Sequence, residues 1–140
     1  MGEGPVGSHT ITSVRWCLAA GALSAAIGVA LGAFGAHGLR SLLSAEFMAI
    51  FETGIRYQMY HAGGLFAVGF AGQIVEPRKL RHLSLAGWAF SAGTVVFSGS
   101  LYALSLTGLR ELGAITPVGG ILFLAGWGMF IYSLLGARNG

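Results

Sequence analysis

The chain has very little charge for its length. Only 9% of its 140 residues are charged, whereas 54% are hydrophobic. Soluble domains carry roughly 25% charged residues, because their surfaces must interact with water. All eight Lys and Arg and all five acidic residues lie outside or at the edges of four apolar runs. The composition therefore excludes an ordinary soluble domain and indicates a membrane protein.

The sequence also lacks the features that would point to a particular chemistry. Cys17 is the only cysteine, so no disulfide can form within the chain. No nucleotide-binding motif or arrangement of nucleophile and base is present, and the histidines lack a metal-binding spacing such as HExxH. The sequence thus predicts no catalytic residue, metal site, cofactor or nucleic-acid partner, and an enzyme is the least favoured interpretation.

Four apolar runs are each close to the roughly 20 residues that a helix needs to cross a hydrocarbon core. A membrane β-barrel would need alternating apolar and polar residues, which these runs lack. A soluble helical bundle would need charges within the runs. The sequence predicts an all-α membrane protein whose four transmembrane helices form a compact bundle. They are expected at about residues 16–36, 57–75 with a helical lead-in from about 45, 83–106 and 116–136.

The cations that flank the runs predict the orientation of the helices. If the N-terminus is cytoplasmic, the inner side carries Arg15, Arg78, Lys79, Arg81 and Arg138, and the outer side carries Arg40, Arg56 and Arg110. The excess of inner cations favours an N-in, C-in topology. Residues 1–13 are predicted to be a flexible tail, and residues 14–140 a single four-helix transmembrane domain.

Small residues predict how the helices associate. Helices in lipid gain no hydrophobic free energy when they meet, so their association depends on close packing, which small side chains permit. On this basis helix-packing roles are predicted for Gly28, Gly32, Gly93 and Gly99.

Polar side chains gather at one end of the predicted helices. The stretch FETGIRYQMYHAGG, residues 51–64, places its hydrogen-bonding groups before an apolar run. Glu52 and Arg56 are spaced i, i+4 and can form an ion pair, and Tyr57 and His61 share that spacing. The candidate cluster, expected in the outer half of the membrane, comprises His37, Glu52, Arg56, Tyr57, Gln58, His61, Ser98, Ser100, Tyr102 and Thr116.

Three interpretations of this cluster are open. In the first, its side chains are structural and satisfy one another. In the second, they line a pocket for a quinone, a lipid headgroup, an ion or a segment of a larger complex. In the third, His37, His61 and Glu52 bind a metal or haem or act in catalysis. A packed and fully bonded His61 would favour the first interpretation, and a cavity that reaches His61 would favour the second.

Four sequence blocks carry a resemblance to a known family. They are GAFGAHGL (32–39), FETGIRYQMYHAGGL (51–65), FSGSLYALSLTG (97–108) and LGAITPVGG (112–120). From Gly32 to Trp127 the chain resembles a family of small four-helix membrane proteins of unknown function that includes transmembrane protein 256. The resemblance implies an integral membrane protein, bacterial or mitochondrial, without an assigned activity. The matching polar positions are His37, Tyr57, Gln58, His61, Ser98, Ser100, Tyr102, Thr107 and Thr116.

The function predicted from the sequence is that of an accessory or interaction subunit of a larger membrane complex. The alternative is a small-molecule, quinone or ion-binding or transport protein that uses the outer polar cluster. The expected partners are membrane lipids, other membrane-protein subunits or further copies of the chain. The expected location is the cell membrane, the inner membrane of a bacterium, or a mitochondrial membrane if the source is eukaryotic.

Overall fold

Four long helices make up most of the chain. The structure, a computed structural model, describes the backbone of residues 8–135 and the side chains of residues 14–135. The helices are α1 (Ser8–Phe34), α2 (Ala45–Ala71), α3 (Leu80–Thr107) and α4 (Thr116–Leu135). Within this described part no strand occurs. The all-α class predicted from the sequence is confirmed.

The helix boundaries differ from the predicted ones mainly at α1 and α2. Helix α1 begins at Ser8, inside the segment predicted to be a tail, and residues 1–7 lie outside the described residues. Helix α2 runs without a break from Ala45 to Ala71, so the predicted lead-in is its first part. Ser44 accepts a hydrogen bond from the backbone N–H of Phe47 at 3.2 Å, which caps the start of α2.

Short turns connect the helices. A π-helical turn, Gly35–Leu39, follows α1, and 3-10 turns at Pro77–Lys79 and Arg110–Ala114 precede α3 and α4. Helix α3 is ended by Gly108, whose φ of 73° lies in the left-handed region that a glycine adopts without steric cost.

The helices pack in the order of the chain. Helix α2 lies against α1 and α3, and α3 lies against α4, whereas α1 and α4 do not pack along each other. Because α1 and α3 both run antiparallel to α2, they run parallel, and they meet where the rings of Trp16 and Trp88 are 4.6 Å apart. Extensive contacts join successive helices only, so the described helices form an open array. The compact four-helix transmembrane bundle predicted from the sequence stays a prediction.

The apolar core lies in the half of the array that contains the first parts of α1 and α3. Its members come from all four helices, and their contacts supply the dispersion attraction that holds helices together in lipid. The buried residues of this core are Val14, Cys17, Leu65, Val68, Ala71, Leu80, Leu83, Ala86, Phe90 and Phe123.

Three helical segments of the described chain are long and apolar enough to cross a membrane. They are Val14–Leu39, Pro77–Thr107 and Arg110–Leu135. Helix α2 is not among them, because Arg56, Gln58 and His61 lower the hydropathy of its middle. Its 27 residues still extend roughly 40 Å, enough to span a hydrocarbon core about 30 Å thick.

The four glycines predicted to lie at helix contacts divide into two pairs. A Cβ on Gly28 would come within 2.6 Å of the Met59 sulfur, and one on Gly93 within 2.6 Å of the Phe123 ring, so both positions lie at helix contacts. The Met59 side chain is flexible and can move aside, whereas the buried Phe123 ring cannot do so readily. A Cβ on Gly32 or Gly99 would meet nothing within 4 Å. The packing role predicted for Gly32 and Gly99 therefore has no contact to support it, because both face open space.

The closest approach to a neighbouring backbone occurs at Gly119, between α4 and α3. A Cβ there would lie 2.5 Å from the backbone nitrogen of Phe97 and 2.8 Å from its Cα. Backbone atoms of a packed helix cannot move aside as the end of a flexible side chain can. Gly119 therefore sets how closely α3 and α4 approach.

Gly119→Ala is expected to destabilise the protein by roughly 1–3 kcal/mol, the usual cost of overpacking. The measurement is the thermal unfolding midpoint of the detergent-solubilised protein. Gly128→Ala is the matched control in the same helix, since a Cβ at Gly128 meets nothing within 4 Å. Its midpoint should equal or slightly exceed that of the unsubstituted protein. Equal midpoints for the two variants would contradict the packing of α3 on α4.

Candidate functional site

His61 lies near the middle of α2, and both of its ring nitrogens have partners. Nδ1 is 2.7 Å from the carbonyl oxygen of Tyr57, and Nε2 is 3.2 Å from the indole Nε1 of Trp127. A carbonyl only accepts and an indole N–H only donates, so the network assigns the proton to Nδ1 and leaves Nε2 as the acceptor. This pair of bonds is possible only for the neutral imidazole.

Aromatic rings surround His61 and join α2 to α4. The imidazole stacks on Phe123 with ring centroids 3.4 Å apart and an interplanar angle of 5°, and the Phe90 ring lies 5.5 Å away. Since His61 is 16 residues beyond Ala45, it lies roughly 24 Å along the helix. The sequence predicts His61 in the outer half of the membrane, and in the structure it lies close to the midpoint of α2.

Gln58 links three helices. Its Nε2 donates to the carbonyl of Ser24 on α1 at 2.8 Å, and its Oε1 accepts from the Tyr102 hydroxyl on α3 at 2.7 Å. The Gln58 side chain is buried, where leaving the amide without partners would be costly. Gln58 therefore fixes the positions of α1 and α3 on either side of α2.

Serine hydroxyls in the second half of α3 complete the polar contacts between helices. Ser98 donates to the carbonyl of Gly54 on α2 at 2.7 Å. Ser100 donates to the Phe97 carbonyl at 2.9 Å and lies 2.7 Å from the Thr116 hydroxyl. Because the single Ser100 proton is used within α3, Thr116 is the donor to Ser100. These bonds tie α3 to α2 and to the start of α4.

Four members of the predicted cluster have side chains outside this network. Tyr57 contributes only its backbone carbonyl. His37 is exposed in the π-helical turn, and Glu52 and Arg56 are exposed on α2. Arg56 donates to the Thr53 hydroxyl at 3.2 Å, and no ion pair joins it to Glu52 among the described residues. The ion pair that the i, i+4 spacing allows is therefore not formed, and the guanidinium bonds to Thr53 instead. In the described part of the chain His37, His61 and Glu52 form no metal-binding group.

An exposed ion pair between the start of α2 and the turn before α4 was not predicted. Two nitrogens of Arg110, in the turn before α4, lie 3.0 and 3.3 Å from the two carboxylate oxygens of Glu46 on α2. The guanidinium also lies over the Phe47 ring, 5.7 Å from its centroid. Exposed pairs contribute little stability, so this contact mainly fixes the turn. Nothing in the local sequence signals a contact between residues so far apart.

The partner of His61 could have been suspected from the sequence. Trp127 lies in an otherwise apolar run, and a buried indole N–H usually finds an acceptor. Which acceptor it finds depends on how α2 and α4 are aligned, which the sequence does not reveal.

A cavity of about 390 Å³ opens between α1 and α3, with α2 as its floor. Its wall is mostly apolar and includes Leu23, Ile27 and Val95, while Gln58 and Tyr102 supply polar groups. His61 does not line it. The pocket interpretation expected a cavity that reaches His61, and this cavity does not reach it.

Three hydroxyls in the wall of this cavity have no hydrogen-bond partner. They belong to Ser24, Ser91 and Thr94, and each oxygen is buried. Helical serines commonly donate to the carbonyl four residues earlier, as Ser105 and Ser133 do here. A buried hydroxyl without a partner costs roughly 1–3 kcal/mol. Apart from these three atoms, only His82 Nδ1 is a buried and unpartnered side-chain nitrogen or oxygen in the described residues.

Comparisons with known proteins identify relatives along most of the chain. The UPF0382 membrane protein of Staphylococcus haemolyticus is 49% identical over 113 residues, which cover 81% of this chain and 89% of the relative. The UPF0382 membrane protein YwdK of Bacillus subtilis is 46% identical over 111 residues, which cover 79% and 89%. No solved structure gives a significant match.

A family model also matches the chain, over residues 31–120, and its description is "Protein of unknown function (DUF423)". The match covers the sequence blocks from which a membrane-protein family of unknown function was inferred, so that inference is confirmed. The bacterial relatives and the three apolar helices identify a multi-pass protein of the bacterial cell membrane. The chain belongs to the family described as protein of unknown function DUF423.

Proposed function

We propose that the protein is an accessory or interaction subunit of a larger membrane complex. The observation that carries the proposal is the environment of His61, whose two ring nitrogens are both bonded and whose ring is stacked on Phe123. The residue best suited to proton or metal chemistry is thus used to join α2 to α4. Gln58 and Ser98 likewise bond across helices. A cluster used for internal packing favours a structural module over an enzyme.

The outer faces of the open array support a role in contacts with other proteins. Since α1 and α4 do not cover each other, each presents an apolar face, with Leu23 and Val29 on α1 and Ile121 and Leu124 on α4 strongly exposed. Lipid can cover these faces. A helix of another subunit can do so equally well, because lipid chains and apolar side chains differ little in polarity.

All four helices cross the membrane in this proposal, with both ends of the chain in the cytoplasm. The segments that contain α1 and α3 are each able to span, and the two helices run parallel. The chain must therefore return across the membrane between them, and α2 is the segment that joins them. The described cations agree with this orientation: Arg15, Arg78, Lys79 and Arg81 lie at the proposed inner end, against Arg40, Arg56 and Arg110 toward the outer end.

Photo-crosslinking from α4 tests the accessory role. A benzoylphenylalanine at Leu124, which is 74% exposed, should capture a distinct membrane protein in intact cells, identified by mass spectrometry after purification in mild detergent. The same group at the adjacent Phe123, which is 4% exposed, should give crosslinks within the chain only. A protein that purifies alone, with no intermolecular crosslink from position 124, would contradict the proposal.

Cysteine labelling tests the topology. In a Cys17→Ala background, Leu42→Cys lies between α1 and α2, and Ile74→Cys lies between α2 and α3; both native side chains are strongly exposed. A membrane-impermeant maleimide should label position 42 in intact cells and position 74 only after the cells are opened. Labelling of both from one side would show that α2 does not cross, and the reverse pattern would place the chain ends outside.

His61→Ala should destabilise the protein by about 2 kcal/mol. This figure combines two hydrogen bonds at about 0.6 kcal/mol each with one aromatic pair at about 0.5–1.5 kcal/mol. Size-exclusion profiles and unfolding midpoints of the solubilised protein measure the loss. His37→Ala, at an exposed position of the π-helical turn, is the control and should leave both unchanged. A His61→Ala variant as stable as the unsubstituted protein would refute the structural role of His61.

A further inference from the structure

We propose that the cavity between α1 and α3 binds a membrane-dissolved molecule with carbonyl groups on an apolar body, the chemistry of isoprenoid quinones. Such binding can be tested separately from the accessory role, since it uses neither the His61 bonds nor the face of α4 that carries Leu124. The cavity volume of about 390 Å³ lies within the roughly 300–1,000 Å³ of small-molecule sites. It is large enough for a substituted ring and the first part of a chain.

The polar groups of the cavity call for a ligand that accepts hydrogen bonds. The hydroxyls of Ser24, Ser91 and Thr94 lack partners, and their oxygens are buried beneath the cavity surface. A rotation of each side chain about χ1 would turn its hydroxyl into the cavity, where it can donate to a ligand. The Gln58 amide uses one N–H on the Ser24 carbonyl, and its oxygen already accepts from Tyr102, so a second N–H is available. Each hydroxyl can donate or accept, whereas the free amide N–H only donates, so a carbonyl oxygen is a ligand group that all four can bind.

The position of the cavity selects a molecule dissolved in the hydrocarbon. Ser24, Gln58 and Thr94 each lie within about one helical turn of the middle of their helices. If these helices span the membrane, the donors lie near its midplane, far from the interfacial region that holds phospholipid ester groups. Leu23 and Val95, which line the cavity, are strongly exposed. A ligand can therefore enter sideways from the lipid.

The shape of the cavity favours a small molecule over a helix of a partner protein. Toward the start of α1 the Trp16 and Trp88 rings, 4.6 Å apart, bridge α1 and α3. A helix lying along α1 and α3 would need a groove that continues past this point. The unpartnered hydroxyls, moreover, lie in the wall of the recess and not along the outer faces of the helices.

Decylubiquinone titrated into the purified protein in lipid nanodiscs tests the site, with tryptophan quenching and the unfolding midpoint as readouts. The unsubstituted protein should bind saturably and be stabilised. The triple variant Ser24→Ala, Ser91→Ala, Thr94→Val should lose affinity by about tenfold or more. Its ligand-free midpoint should be unchanged or higher, because the removed hydroxyls have no partners. The control Ser105→Ala, Ser133→Ala removes hydroxyls bonded within their own helices and should bind normally.

A second pair of variants tests the volume of the cavity. Gly99 lines it, and a Cβ there meets nothing within 4 Å, so Gly99→Leu should direct its side chain into the cavity and abolish binding. Gly128→Leu, at an equally open position on α4, should bind as the unsubstituted protein does.

Four outcomes would overturn the proposal. The first is the absence of saturable binding to the unsubstituted protein, and the second is affinity within twofold in the triple variant or in Gly99→Leu. The third is equal competition by dioleoylglycerol, which would assign the site to lipid ester groups. The fourth is capture of another protein's helix by a photo-crosslinker at Val95, which would make the recess a protein contact.

Discussion

The structure depends on one constraint, the absence of hydrogen-bonding partners in the hydrocarbon of a bilayer. Helices satisfy the backbone, so the remaining problem is the polar side chains that the helices carry. His61 and Gln58 lie near the middle of α2, where an unpartnered group would be costly. Each is bonded to a different neighbour: His61 to Trp127 on α4, and Gln58 to Ser24 on α1 and Tyr102 on α3. The central helix is thereby joined to all of the others.

Glycines make these bonds possible by letting the helices approach. At Gly54, the position on α2 whose carbonyl accepts from Ser98, a Cβ would come within 2.7 Å of the Tyr102 ring. At Gly119 the backbone of α3 itself occupies the space. Short side-chain hydrogen bonds and close backbone contacts thus occur together on α3. No such close contact forms between α1 and α4, which do not pack on each other, so the array is open there.

Two populations of polar side chains result. The bonded ones, around His61 and Ser98, hold the helices in place and support a structural role. The unpartnered ones, Ser24, Ser91 and Thr94, line a recess that opens toward the lipid. The bonded side chains thus stabilise the packing of the helices, whereas the unpartnered ones are the groups on which the proposed ligand site depends.

The sequence by itself determined the helical class, the membrane location and the bounds of α3 and α4 to within a few residues, because apolar runs and their charged ends respond to lipid without reference to any neighbour. It also indicated which polar residues matter, such as Gln58 and His61. Only the tertiary structure decided their partners. Helical spacing allowed Glu52 to pair with Arg56, yet Arg56 bonds to Thr53. The alignment of one helix against another depends on side-chain packing over the whole contact, and no local pattern encodes that sum.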